Sequence, residues 1–206
     1  MSKLIITIKF PVGFYTISID GKFVVVTYYP EKLTNKPEIM SIIDMDEELF
    51  VKFEDNKVDR ISNIKDRKHR FPYNPVSPPT IIGNADILGY NCTIYDTQYE
   101  YKEKGHSKKG QPVIRVISYF SHVPLLKKYL YNDNVIGLIP WIGTNGFKHF
   151  GKFKLKSEEI TNSVPLLIFE VIGIETKDEL PTEVNIAITK MKDALRKNEE
   201  WRMNGE

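Results

Sequence analysis

Cysteine is nearly absent: Cys92 is the only one in 206 residues. A lone thiol cannot close an internal disulfide, so the redox compartment stays open. Alanine is confined to Ala85, Ala187 and Ala194. A chain so poor in the best helix former is not expected to be a helical bundle. No run of about 18 apolar residues occurs, which argues against a membrane-spanning helix. Met1-Ser2-Lys3 leads into Leu4–Ile8, too short for a signal h-region with its cleavage site. The expected compartment is the cytoplasm, or the periplasm and cell envelope if a natural leader was removed. Neither sign of charge dominates: 29 Lys and Arg stand against 27 Asp and Glu. A formal charge of +2 is too small to imply a nucleic-acid or membrane field by itself.

What is present is β-forming material. Eleven Tyr, eleven Phe and two Trp make the chain 12% aromatic, and aromatic and β-branched residues favour a pleated, half-buried surface. The fold class expected is mainly β (α+β), a curved antiparallel sheet or half-barrel meander with a C-terminal helix. One domain is expected over 1–206. It comprises a β-meander over 1–64, a proline-rich basic connection over 65–79, a second strand group over 80–189 and a helical tail over 190–206.

The spacing supports that division. Residues 4–10 read as a strand that Pro11 and Gly13 break. Residues 14–19 and 22–29 flank Asp20-Gly21, a strong short-range hairpin signal. Ile39–Met45 and Leu49–Glu54 flank Asp46-Glu47-Glu48, and Asp55-Asn56 turns the chain before Val58–Ile61. Lys65–Pro79 carries Pro72, Pro75, Pro78 and Pro79 and reads as a loop, not a strand. Residues 87–102 and Pro112–Phe120 read as a strand pair. Leu125–Tyr131 suits a short helix. Lys152–Lys156 alternates as an edge strand would, and Val164–Ile174 reads as a central strand. The tail satisfies two periods at once. Val184, Ile186 and Ile188 alternate like a strand, while Val184, Ala187, Ile188, Met191 and Leu195 line one helical face with Thr182 as N-cap. A strand near 183–189 and a helix from about 190 to 201 are expected.

The search for chemistry returns little. Gly-x-Gly-x-x-Gly, Gly-x-x-x-x-Gly-Lys-Ser/Thr and Gly-x-Ser-x-Gly are all missing. His69, His106, His122 and His149 lack metal-ligand spacing. The acidic knot Asp44, Asp46, Glu47 and Glu48 lacks the glycine and terminal Glu of a calcium loop and reads as a solvated turn. Cys92, with Tyr90 and Ile94 on its own strand face, reads as a buried thiol. No catalytic residue, cofactor or metal is assigned, and enzymatic activity is not expected.

Two features suggest binding. The stretch Val135–Gly143 is too irregular for a core strand and too apolar for a solvated loop. Either it packs on the core as a plain loop, or it covers the mouth of a curved sheet and shelters an apolar cavity, lined by Tyr119, Phe120, Leu138, Trp141 and Phe147. Between Arg60 and Arg115 ten basic residues outnumber five acidic ones. There Arg67, Lys68, Arg70, Lys104, Lys108 and Lys109 offer an alternative anion-binding set near Tyr99 and Tyr101. Charged tips of this kind also keep sheets from aggregating, so nucleic acid is not the expected partner.

The element Gly83-Asn84-Ala85-Asp86-Ile87-Leu88-Gly89-Tyr90-Asn91-Cys92-Thr93-Ile94-Tyr95 resembles a G…I-x-G-Y-x-C-x-x-Y pattern. That pattern occurs in exported bacterial domains of unknown function related to the lipoprotein-carrier (LolA-like) superfamily. A later Pro165-Leu166-Leu167 strand is similar as well. The resemblance implies a half-barrel with a concave apolar face, which carrier members use to hold acyl chains; it transfers no catalytic residue. The expectation is a non-enzymatic binding or carrier domain for a lipid or other hydrophobic small molecule in the cell envelope. The alternatives are an assembly subunit pairing with a protein partner through sheet edges, or an anionic-polymer binder.

Overall fold

The computed structural model describes residues 3–33, 37–54, 57–64, 73–101, 113–121 and 153–203. In chain order they form β1 (Lys3–Phe10), β2 (Gly13–Asp20), β3 (Phe23–Tyr29), β4 (Ile39–Asp44), β5 (Leu49–Glu54), β6 (Lys57–Asn63), β7 (Tyr73–Pro75), β8 (Thr80–Ile87), β9 (Tyr90–Tyr101), β10 (Ile114–Ser121), β11 (Phe153–Thr161), β12 (Val164–Lys177) and α1 (Thr182–Met203). The fold is mainly β, antiparallel and open, with one helix among the described residues. The chain divides into two compact units, one of Met1–Ile8, Val12–Arg67 and Gly173–Glu206, the other of Lys9–Pro11 and Lys68–Ile172.

In the first unit the strands run β6-β5-β4-β3-β2-β1-β12. The expected meander is there, with tight turns closing β1–β2, β2–β3 and β4–β5. Asp20 pairs with Phe23 across the loop Gly21-Lys22, one residue beyond the expected Asp20-Gly21. Gly21 sits at φ +56°, and a positive φ at the first loop position suits the right-handed twist of a hairpin. Gly13 answers to a different constraint: a Cβ there would meet the backbone carbonyl oxygens of Tyr29 and Pro30. Between β4 and β5 the Asp44 carboxylate accepts the amides of Asp46 (3.1 Å) and Glu47 (3.2 Å). It also lies 3.1 Å from Lys22 Nζ. Asp46 and Glu47 are solvated, as the turn reading has it, whereas Asp44 is buried and holds the turn.

α1 lies on one face of β3–β5. Leu180, Val184, Ala187, Ile188 and Met191 pack against Phe23, Val25, Met40, Ile42, Val51 and Phe53. The expected strand over 183–189 is therefore wrong; the segment is the first two turns of the helix. A strand would bury Val184, Ile186 and Ile188 together, but Ile186 is 50% exposed while Ala187 is buried. The start also differs from the Thr182 cap of the helical alternative. The Pro181 carbonyl accepts the amides of Val184 (3.0 Å) and Asn185 (3.2 Å).

In the second unit the order is β12-β11-β10-β9-β7, with β8 also paired to β9. β8 (Ile87↔Tyr90 to Thr80↔Asp96) and β7 (Pro75↔Tyr99 to Tyr73↔Tyr101) lie in tandem along β9. Tyr73–Pro75 thus corrects the strand-free reading of 65–79. Pro75 is tolerated because β7 is an edge. Of the strand expected over 87–102, β9 takes Tyr90–Tyr101, while Ile87 ends β8; the two strands join at Leu88-Gly89 with φ of +56° and +76°. Such a turn needs both residues left-handed, which Leu88 does not advertise. β11 is not an edge strand either: it is paired on both sides, to β10 and β12. The interior holds Tyr95, Tyr99, Val116 and Phe120, with Ile114 and Ile168 beside them. The Phe10 and Phe169 rings meet at 5.8 Å.

Met191→Ala should lower stability by about 2–5 kcal/mol, the usual cost of emptying a fully buried site. Ile186→Ala should cost under about 1 kcal/mol, as half-exposed positions do. Urea unfolding of both variants checks the helical register, since a strand over 183–189 would make the Ile186 change the costly one.

Candidate functional site

The shoulder where α1 meets the ends of β4 and β5 leaves a cleft of about 270 Å³. Pro37, Glu38, Met40, Phe53, Glu183, Ile186, Ala187 and Lys190 line it. Helical spacing builds one wall, because residues 183, 186/187 and 190 fall on one side of α1, next to its buried stripe. Strand register builds the other: Met40 and Phe53 are direct cross-strand partners. Met40, Phe53 and Ala187 form a buried apolar floor, and Ile186 adds a half-exposed apolar wall. Glu38, Glu183 and Lys190 supply the charge.

Glu183 is fixed from behind. Tyr29 Oη donates to its Oε1 at 3.2 Å. Burial, and then the neighbouring Glu183 carboxylate, push the Tyr29 phenol up to about 12. Tyr29 is consequently a neutral donor near pH 7, and Glu183 keeps its partner. The first turn of α1 also favours a carboxylate at position 183.

The second unit holds a different cluster. β11 carries a bulge: Tyr119 pairs with Lys156 and Phe120 with Lys154, so Leu155 has no opposite number. The extra residue reverses the faces. Lys156 lies over the Tyr119 ring and Lys154 over the Phe120 ring, each at 5.3 Å. Tyr119 Oη donates to Glu158 Oε2 at 2.9 Å, and Lys156 pairs with Glu158 at 3.0 Å. Burial, then the Glu158 carboxylate, raises the Tyr119 phenol to about 12. Lys154 is 6% exposed, and burial lowers its ammonium to about 8. A perturbed buried lysine is often functional. Here it stacks on the ring of a core phenylalanine.

Of the residues expected to line a cavity, Tyr119 and Phe120 are described, and they point to opposite faces of β10. Phe120 is filled around: it is 1% exposed, with the Tyr95 ring edge-on at 5.6 Å. Leu138, Trp141 and Phe147 lie outside the described residues. So do Arg67, Lys68, Arg70, Lys104, Lys108 and Lys109 of the alternative set, the four histidines and the expected helix over Leu125–Tyr131. Cys92 is buried, as expected, with its thiol 3.4 Å from the Tyr90 carbonyl. Among the described residues no group of His, Cys, Asp and Glu is placed to hold a metal ion, and no helix is long and apolar enough to cross a membrane. The cleft residues escaped sequence reasoning because they come from segments some 140 positions apart. The only available signal was Ile186 falling off the helical stripe of Val184, Ala187, Ile188 and Met191. No protein-family model matches the chain, and no curated protein matches its sequence.

The Lys154 ammonium carries a stability signature. Its folded pKa lies below its unfolded value, so the folded state binds fewer protons between about pH 8 and 10.4 and its stability contribution rises across that window. Lys154→Met should raise stability near pH 7 by a difference on the order of 3 kcal/mol that shrinks towards pH 10. Urea titrations of both proteins at several pH values measure it. A difference that stays constant with pH would refute the assignment.

Proposed function

We propose that this chain is a non-enzymatic binding domain for a small hydrophobic ligand, held between α1 and the ends of β4 and β5. The observation that carries the reading is the cleft itself, a hollow with a buried apolar floor of Met40, Phe53 and Ala187 and charged groups around it. Small-molecule sites have this make-up, mostly apolar lining with a few placed polar groups. A volume of about 270 Å³ suits one short chain or ring rather than several acyl chains. The resemblance of Gly83–Tyr95 to lipoprotein-carrier relatives supports the same class of function, a carrier of hydrophobic cargo in the envelope. The site differs from the concave sheet face that resemblance implies, since Phe120 is consumed by the core.

The test is direct. 1-Octanol titrated into the 15N-labelled protein should shift amides at 38–40, 53 and 183–190. Ile186→Trp, which fills the cleft from its exposed wall, should weaken binding at least about tenfold, the loss of about 1.4 kcal/mol. Shifts scattered over both units, or none, would overturn the reading.

One observation favours a second reading, assembly through a sheet edge. β8 carries a single charge, Asp86, and exposes Ile81 (62%) and Ile82 (52%). Such edges template strand addition. If this reading holds, sedimentation at rising concentration should show association that Ile81→Lys abolishes.

A further inference from the structure

We infer that the cleft between α1 and the β4–β5 ends selects a cationic ligand: a small amphiphile whose apolar part fills the floor and whose ammonium group meets Glu38 and Glu183. The inference rests on the binding reading above and names the chemistry of the ligand's polar end. Its basis is the arrangement of charge around the apolar surface.

Two carboxylates and one ammonium line the cleft. Lys190 makes no direct ion pair with Glu38 or Glu183 among the described residues, so both carboxylates stay open to a ligand. The Glu183 carboxylate accepts from the Tyr29 phenol, a neutral donor that orients it. Glu38 sits at the entrance to β4 beside Pro37, its backbone amide donating to the Tyr28 carbonyl at 3.0 Å, while its exposed carboxylate makes no hydrogen bond or ion pair among the described residues. The balance over the cleft is thus one negative charge, next to a surface that excludes water. Charges beside low-dielectric walls act more strongly than on an open surface. A neutral alcohol would occupy the floor and offer a carboxylate one hydrogen bond but no opposite charge. A carboxylate-ended ligand would bring like charge against Glu38 and Glu183. An ammonium both pairs with them and donates hydrogen bonds into oxygens that can accept more.

Lys190 makes the proposal sharper. Its ammonium opposes a cationic ligand and offsets one of the two carboxylates. Removing it should therefore strengthen the preference, while removing either carboxylate should weaken it.

The experiment is a comparison of three probes of equal chain length, octylamine, 1-octanol and octanoate, titrated at pH 7 into the whole chain and followed by calorimetry and by amide shifts. Octylamine should bind roughly tenfold tighter than 1-octanol, with octanoate weakest, and the gap should narrow as salt is raised. Glu38→Gln and Glu183→Gln should each cut the amine preference over 1-octanol several-fold; Lys190→Met should widen it. The Gln carbonyl can still accept the Tyr29 hydroxyl or a ligand hydroxyl, and amide shifts on 1-octanol addition confined to 38–40, 53 and 183–190 report an intact cleft. If 1-octanol binds in the cleft but the three probes bind alike, or octanoate binds best, the charge inference is overturned while the binding reading stands. If no probe binds, the binding reading itself is overturned.

Discussion

The packing of one helical stripe on one strand face is the constraint from which the first unit follows. Val184, Ala187, Ile188 and Met191 cover Val25, Ile42 and Val51, so a face that would otherwise meet water becomes interior. The opposite face of the same strands carries Val24 and Ile43, also buried. Strands covered on both sides lose the apolar–polar alternation of a solvated sheet, which is why β3 reads Phe23-Val24-Val25-Val26. The cleft is a by-product of the same contact. A cylinder laid on a twisted sheet cannot touch it everywhere, and the gap opens where Met40 and Phe53 reach past the helix shoulder.

The second unit shows what a single inserted residue does. Without the bulge at Leu155, Lys154 and Lys156 would share a face, and Leu155 would stand opposite Phe120. With it, Lys156 joins Tyr119 and Glu158 in a hydrated cluster, while Lys154 turns into the apolar side against Phe120. Bulges re-aim side chains in this way. Burial of the ammonium costs stability near neutral pH, and the ring face offsets part of that cost.

The two sheet margins are treated differently. On β6, Lys57, Asp59 and Arg60 line the edge, and Lys52 of the neighbouring strand pairs with Asp59 at 3.2 Å. Such charge makes an edge a poor template for another chain. β8 has a bulge at Ile82 and one acidic residue, with exposed isoleucines beside it. The bulge gives partial protection that the composition does not complete.

Much of the β architecture was legible in the residues alone. Aromatic and β-branched runs between Asp-Gly, acidic and Asn-containing turns have a two-residue period and short loops, and local sterics suffice to make them hairpins. The buried thiol of Cys92 was legible for the same reason, as a small residue inside such a run. The helix over 183–189 was not, because Val184 and Ile188 satisfy a period of 2 and a period of 3.6 equally well. Only the apolar face of β3–β5 decides between them, by offering a partner to Ala187 rather than Ile186. The cleft was illegible too. Its floor comes from β4 and β5 and its wall from α1, and no local pattern specifies which distant segments will meet. Which stretches are strands, and roughly where they turn, follows from local residue order, since that depends on neighbouring residues. Tertiary structure decided which face each side chain serves, whether an ambiguous segment coils, and where the packed surfaces leave a hollow, because burial is a property of contacts between segments far apart in the chain.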